Sequence, residues 1–151
     1  MAGLKIVLCF VILGVFSNQS VHAKVYTRCG LTKQLLDLNF SRTFIGNWVC
    51  LIESESGKDT SKVTIRANGR KGLGLFQIKS KDWCTFGKKG GLCNVKCEDM
   101  TNENIKDDAA CAVKVRDELG FSAWNGWKRS CKGRKLPIPV CLSDDNNEIP
   151  K

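Results

Sequence analysis

The stretch Ile45-Gly46-Asn47-Trp48-Val49-Cys50-Leu51-Ile52-Glu53-Ser54-Glu55-Ser56 carries the most structural information in the chain. Ile45, Trp48, Val49 and Ile52 recur at helical spacing, so this segment is expected to be a helix with one face in a core. Two carboxylates sit near its end. Successive helical residues turn by about 100°, and Glu55 lies seven residues from Trp48 and three from Ile52, beside the apolar stripe. Glu53 points away from it. A carboxyl held against apolar groups resists ionisation and is suited to donate a proton; a helix-end glutamate without a role is the plainer alternative.

The same periodicity predicts a helix over Arg28 to Leu38, with Leu31, Leu35 and Leu38 on one side and Asn39 as a left-handed cap. Asn39-Phe40-Ser41 is also an N-glycosylation sequon. After the polar stretch Gly57 to Lys62, Val63-Thr64-Ile65 and Gly72 to Ile78 are expected as strands around the turn signal Asn68-Gly69. Gly87 to Gly91 reads as a loop. Asp107-Asp108 opens a helix to about Leu119, where acidic residues suit the positive end. Trp124 and Trp127 then stand three apart in Phe121 to Ser130. Helices, a small sheet and more helices in that order predict an α+β fold of two lobes with a cleft between them.

Residues 1–23 have the form of a secretory signal peptide. Lys5 is followed by an apolar run from Ile6 to Phe16, then polar residues and Val21-His22-Ala23, small at the positions before cleavage. The run is too short to cross a bilayer, which needs about 20 apolar residues, although an uncleaved anchor is the alternative. Residues 24–151 then form one domain, and a monomer is expected. Loss of the leader removes Cys9, Lys5 and His22, the only histidine. Ser-His and Cys-His triads and histidine-bound zinc are thereby excluded, and no phosphate-binding glycine loop is present.

Eight cysteines remain: Cys29, Cys50, Cys84, Cys93, Cys97, Cys111, Cys131 and Cys141. An even number in a small exported chain indicates a disulfide framework. Half a zinc site at Cys93-x3-Cys97 is the weaker reading, without histidine and in an oxidising compartment. The 151 residues carry 24 Lys and Arg against 15 Asp and Glu, a formal charge of +9. Such a charge favours anionic surfaces such as bacterial walls, anionic lipids or acidic glycans, or serves only solubility. No aromatic-basic module for nucleic acid is present.

The chain from Lys24 resembles the c-type lysozymes, in particular those of insects. The resemblance is carried by Lys24-Val25-Tyr26-Thr27-Arg28-Cys29-Gly30-Leu31, Gly46-Asn47-Trp48-Val49-Cys50, Asp59-Thr60-Ser61-Lys62, Gly74-Leu75-Phe76-Gln77-Ile78, Cys93-Asn94-Val95-Lys96-Cys97 and Ala123-Trp124-Asn125-Gly126-Trp127-Lys128. It implies the lysozyme fold and the pairs Cys29–Cys141, Cys50–Cys131, Cys84–Cys97 and Cys93–Cys111. Spacing alone leaves 105 pairings open. It further implies a groove for peptidoglycan or N-acetylglucosamine oligomers and hydrolysis of the β-1,4 link between N-acetylmuramic acid and N-acetylglucosamine. Glu55 falls on the family's general acid and Trp124 on the tryptophan beside it. Gln77 and Ala123 match groove-lining positions, and Trp83 matches a sugar-contacting aromatic. The division of labour between two carboxylates is a known scheme for lysozyme.

The second carboxylate is missing. Gly72 stands at its position, Leu73 replaces the neighbouring tyrosine, and Lys79 replaces an asparagine that supports it; Asp82 takes the place of an aromatic on the groove's lip. A preorganised electrostatic group contributes roughly 3–4 kcal/mol, so its loss lowers the rate by about 10²–10³. Hydrolysis is therefore expected to be weak or absent, which leaves a sugar-binding protein, a muramidase working through Glu55 alone, or a gamete-surface partner. In relatives that bind calcium, carboxylates precede a cysteine by nine, four and three positions. Here those positions are Asn102, Asp107 and Asp108, one carboxylate short, and an acidic helix start explains the pair equally.

Overall fold

A computed structural model describes residues 23–141; the expected leader lies outside the described residues except for Ala23. Helix α1, Arg28–Asp37, begins where the Thr27 hydroxyl accepts the Gly30 amide at 3.0 Å. It ends at Asn39, whose left-handed backbone (φ 62°) and amide bond to the Leu36 carbonyl close the last turn as expected. Helix α2, Ile45–Ser56, has the bounds read from the sequence and stops at left-handed Gly57.

The four apolar residues of α2 are buried. Trp48 lies at their centre, edge-on to Phe40, Phe76 and Trp124 with ring centres 5.0, 5.9 and 5.8 Å away. Each such side chain contributes about 1.5–3 kcal/mol by leaving water. Leu31 and Leu35 of α1 are fully enclosed in the same core.

Strands β1 (Val63–Ile65), β2 (Lys71–Leu73) and β3 (Ile78–Lys79) form an antiparallel sheet in sequential order. The register places Thr64 opposite Gly72 and Gly72 opposite Lys79. Asn68-Gly69 makes the first turn, with Gly69 at φ 70° and the Arg66 amide bonded to the Arg70 carbonyl at 2.9 Å.

Gly72 to Ile78 is not one strand. The ladder breaks after Leu73 because Gly74 (φ 66°) and Gln77 (φ 52°) turn the chain back. A Cβ at Gly74 would run into the Met100 carbonyl, so only glycine permits this approach. The Gln77 amide group pins the turn by donating to the carbonyls of Gly74 (2.9 Å) and Lys62 (3.0 Å).

Helix α3, Lys106–Leu119, carries Asp107 and Asp108 in its first turn as expected. The segment from Phe121 is broken: a 3-10 turn, Phe121–Ala123, leads to extended Trp124, and α4 runs Asn125–Ser130. Trp124 donates to the Phe76 carbonyl at 2.7 Å, while Trp127 donates to Asn47 and stacks on Phe121. The bridges Cys29–Cys141, Cys50–Cys131, Cys84–Cys97 and Cys93–Cys111 are all formed. The architecture is α+β, helices around a small antiparallel sheet, as the sequence led one to expect, and no described helix is long and apolar enough to cross a membrane.

Candidate functional site

The two glutamates of α2 separate as their helical phase requires. Glu53 pairs with Arg28 at 3.0 Å and Lys58 at 3.6 Å on the outside. Glu55 is turned inward, its side chain only 9% exposed. Its Oε1 accepts the backbone amide of Gly126. That amide is in the first turn of α4, so the fold aims a donor at one carboxylate oxygen and leaves Oε2 facing the sheet. A Cβ on Gly126 would stand 2.8 Å from Glu55 Oε1; glycine there lets backbone and carboxylate meet.

Gly72 lies in the central strand. A Cβ built there would be 2.7 Å from Gln77 Oε1 and 3.2 Å from Arg66 Nη2. The same guanidinium nitrogen is 4.0 Å from Glu55 Oε2. A cation therefore stands between Glu55 and the position where the family pattern has a second carboxylate. Lys79, directly across the ladder from Gly72, extends over the groove and donates to the Ala123 carbonyl at 3.0 Å. Burial, and behind it Arg66, holds its ammonium below the ordinary lysine range, while Asp82 and Glu55 act in the opposite direction. Asp82, on the expected lip, is bound to Arg70 at 2.9 Å.

Arg66 and Arg70 were not singled out by the sequence reading. The signal was present: alternation along β1 and β2 puts Thr64 and Arg66, and likewise Arg70 and Gly72, on one face.

Gln77, Trp83, Ala123 and Trp124, the groove residues implied by resemblance, line one cavity together with Ile78, Lys79 and Val115. Its free volume is only about 10 Å³, room for a single water. Trp83 is 4% exposed, and Lys79, bonded to the Ala123 carbonyl, belongs to the same lining.

The calcium positions do not assemble a carboxylate cage. Asn102 Oδ1 accepts the Asn104 amide at 2.7 Å within its own loop. Asp108 is 1% exposed and faces Gly74, while its Oδ2 has no hydrogen-bond partner. Burial, with the Asp107 charge next in size, pushes the Asp108 carboxyl up to about 8. Among the described residues no group of three or more His, Cys, Asp and Glu side chains comes together. These residues do not fit the cation, and no role is drawn through it.

Residues 24–141 match the model of the C-type lysozyme/alpha-lactalbumin family. The chain is 43% identical over 137 residues to a lysozyme of Bombyx mori, covering 90% of this chain and 97% of that one. It is 45% identical over 121 residues to a lysozyme of Hyalophora cecropia, with 79% and 87% covered. Among solved structures, a lysozyme from Litopenaeus vannamei superposes with a TM-score of 0.70 at 31% identity, covering 75% of this chain and 92% of that one. Fold, disulfide pairing and sequence agree, and the chain belongs to the C-type lysozyme/alpha-lactalbumin family.

Proposed function

We propose that this is a secreted, lysozyme-like protein that holds peptidoglycan or N-acetylglucosamine polymers in its groove and hydrolyses them weakly or not at all, in antibacterial defence. One observation carries the reading: the position opposite Glu55 holds Gly72 and, beside it, the Arg66 guanidinium. An oxocarbenium-like transition state needs negative charge or a nucleophile on that side. Glycine supplies neither, and arginine opposes the developing charge.

Gln77, Trp83, Ala123 and Trp124 supply the sugar contacts in this reading. Trp83 and Trp124 offer apolar faces, while the Ala123 carbonyl and the Gln77 oxygen offer acceptors. Sugar enters by displacing the Lys79 ammonium from Ala123. Cleavage of the leader after Ala23 makes Lys24 the mature terminus. Lys24 is already tied to the fold, since its backbone nitrogen donates to the Thr60 hydroxyl and its carbonyl accepts the Thr60 amide, both at 3.0 Å.

The second reading is a muramidase that uses Glu55 alone as acid, with water attacking directly. It is favoured by the retained carboxyl and its Gly126 donor. Turnover of a defined chito-oligosaccharide decides between them. Sedimentation with bacterial walls without release of sugar fragments is the expected result. Clearing of walls at the rate of an ordinary c-type lysozyme, stopped by Glu55→Gln, overturns the binding reading.

A further inference from the structure

We propose that the sheet's groove face recognises the free carboxylate of an acidic glycan, with Arg66, Arg70 and Lys79 as the receiving cations. The inference rests on the groove being a saccharide site and names the kind of saccharide it prefers.

Strand alternation puts these three cations together. Thr64, Gly72 and Lys79 form one cross-strand row. Arg66 lies two residues beyond Thr64, and Arg70 two before Gly72. The three cations line an open hollow of about 340 Å³ with Ala67, Asn68 and Asn125. That volume is at the lower end for small-molecule sites and suits one sugar ring. Gly72 itself is buried beneath Gln77 and Arg66, so the hollow is walled by the cations and not by the strand backbone.

Two carboxylates face these cations, and neither uses up the charge. Asp82 binds Arg70 and fixes its orientation. Glu55 stays 4.0 Å from Arg66, beyond hydrogen-bonding reach. Arg66 Nε is buried without any partner, so the guanidinium is not fully paired within the protein. Lys79 donates only to a neutral carbonyl, and Lys128 adds positive charge nearby. A carboxylate on a ring seated in this hollow reaches Arg66 and Lys79 at once and gains charge-assisted hydrogen bonds. An uncharged N-acetylglucosamine unit gains none. The lactyl carboxylate of muramic acid, free once the stem peptide is removed, and the carboxylate of a uronic acid share this chemistry.

Calorimetric titration of the mature protein tests the proposal with three tetrasaccharides. One is neutral chitotetraose, one alternates N-acetylglucosamine with N-acetylmuramic acid bearing free lactyl carboxylates, and one is tetragalacturonate. At least one acidic ligand is expected to bind about tenfold more tightly than chitotetraose, with an advantage that shrinks as salt rises. The two acidic arms show which source of carboxylate fits. Arg66→Gln, and separately Lys79→Gln, remove most of the advantage, while Lys33→Gln on α1 leaves it intact. Equal affinity for neutral and acidic ligands overturns the proposal and spares the groove reading. So does an equal loss in the Lys33 and Arg66 variants, which marks bulk charge only. Binding of acidic ligands alone supports the proposal and overturns the neutral-sugar reading, and no binding of any ligand overturns both.

Discussion

Arg66 Nη2 stands 4.0 Å from Glu55 Oε2 and within 3.2 Å of any Cβ placed on Gly72. The loss of the second carboxylate is therefore more than a deletion: the vacated position is next to a cation. Restoring activity requires removing positive charge as well as adding negative charge.

Gly72→Asp alone is expected to give little hydrolysis, because the new carboxylate pairs with Arg66. Gly72→Asp combined with Arg66→Asn and Lys79→Asn is expected to raise turnover of chito-oligosaccharide further, towards the roughly 10²–10³ that one preorganised group contributes. A flat response in both variants would mean that the groove, and not the charge, limits the reaction.

Lys79→Gln tests the closure of the groove. Without the bond to the Ala123 carbonyl, Trp83 and Trp124 are expected to become more accessible to acrylamide quenching. Stability should fall by about 1–2 kcal/mol, the ordinary range for a charge-assisted hydrogen bond at a partly exposed group. Unchanged quenching would show that other contacts hold the lobes together.

Asp108 gives a pH signature. In the unfolded chain its carboxyl titrates near 4, and in the fold burial raises it to about 8. Between those values the unfolded state has released the proton and the native state keeps it. This group's contribution is thus fully present below about pH 4 and is lost as pH climbs through about 8. Asp108→Asn has no proton to lose. Its melting temperature is expected to exceed that of the wild type at pH 8 and to match it near pH 4, by scanning calorimetry. Parallel curves would place the dependence elsewhere.

Gly46→Ala probes the contact between α2 and the tail. A Cβ there meets the Leu136 carbonyl, a backbone atom that cannot rotate away. Overpacking of this kind costs about 1–3 kcal/mol, readable as a lower denaturant midpoint. No change would mean that the tail moves aside freely.

The helices were legible because their apolar spacing is local: α2 has the bounds its stripe predicts, and Asn39 caps α1 as its residue type suggests. Glu55 and Glu53 separated by helical phase alone. The turn at Gly74 to Gln77 was not legible. Gly-Leu-Gly-Leu-Phe alternates like a strand, and what holds the turn is the Gln77 side chain on Lys62 together with the Met100 carbonyl packed on Gly74, contacts from other parts of the chain. The cationic face was missed for a similar reason. Arg66 and Arg70 look like ordinary hairpin charges until the register sets them beside Gly72, and Lys79 meets its acceptor 44 residues away.

The Cys29–Cys141 bridge joins positions 112 apart, near the two margins of the described chain. Everything between them is a covalent loop. An exopeptidase that trims either terminus cannot peel strands or helices away, because both ends of the loop stay fastened. A single internal cut by an endoprotease leaves the two pieces joined. Durability against proteases is then decided by how many cuts the molecule takes, not by the first one.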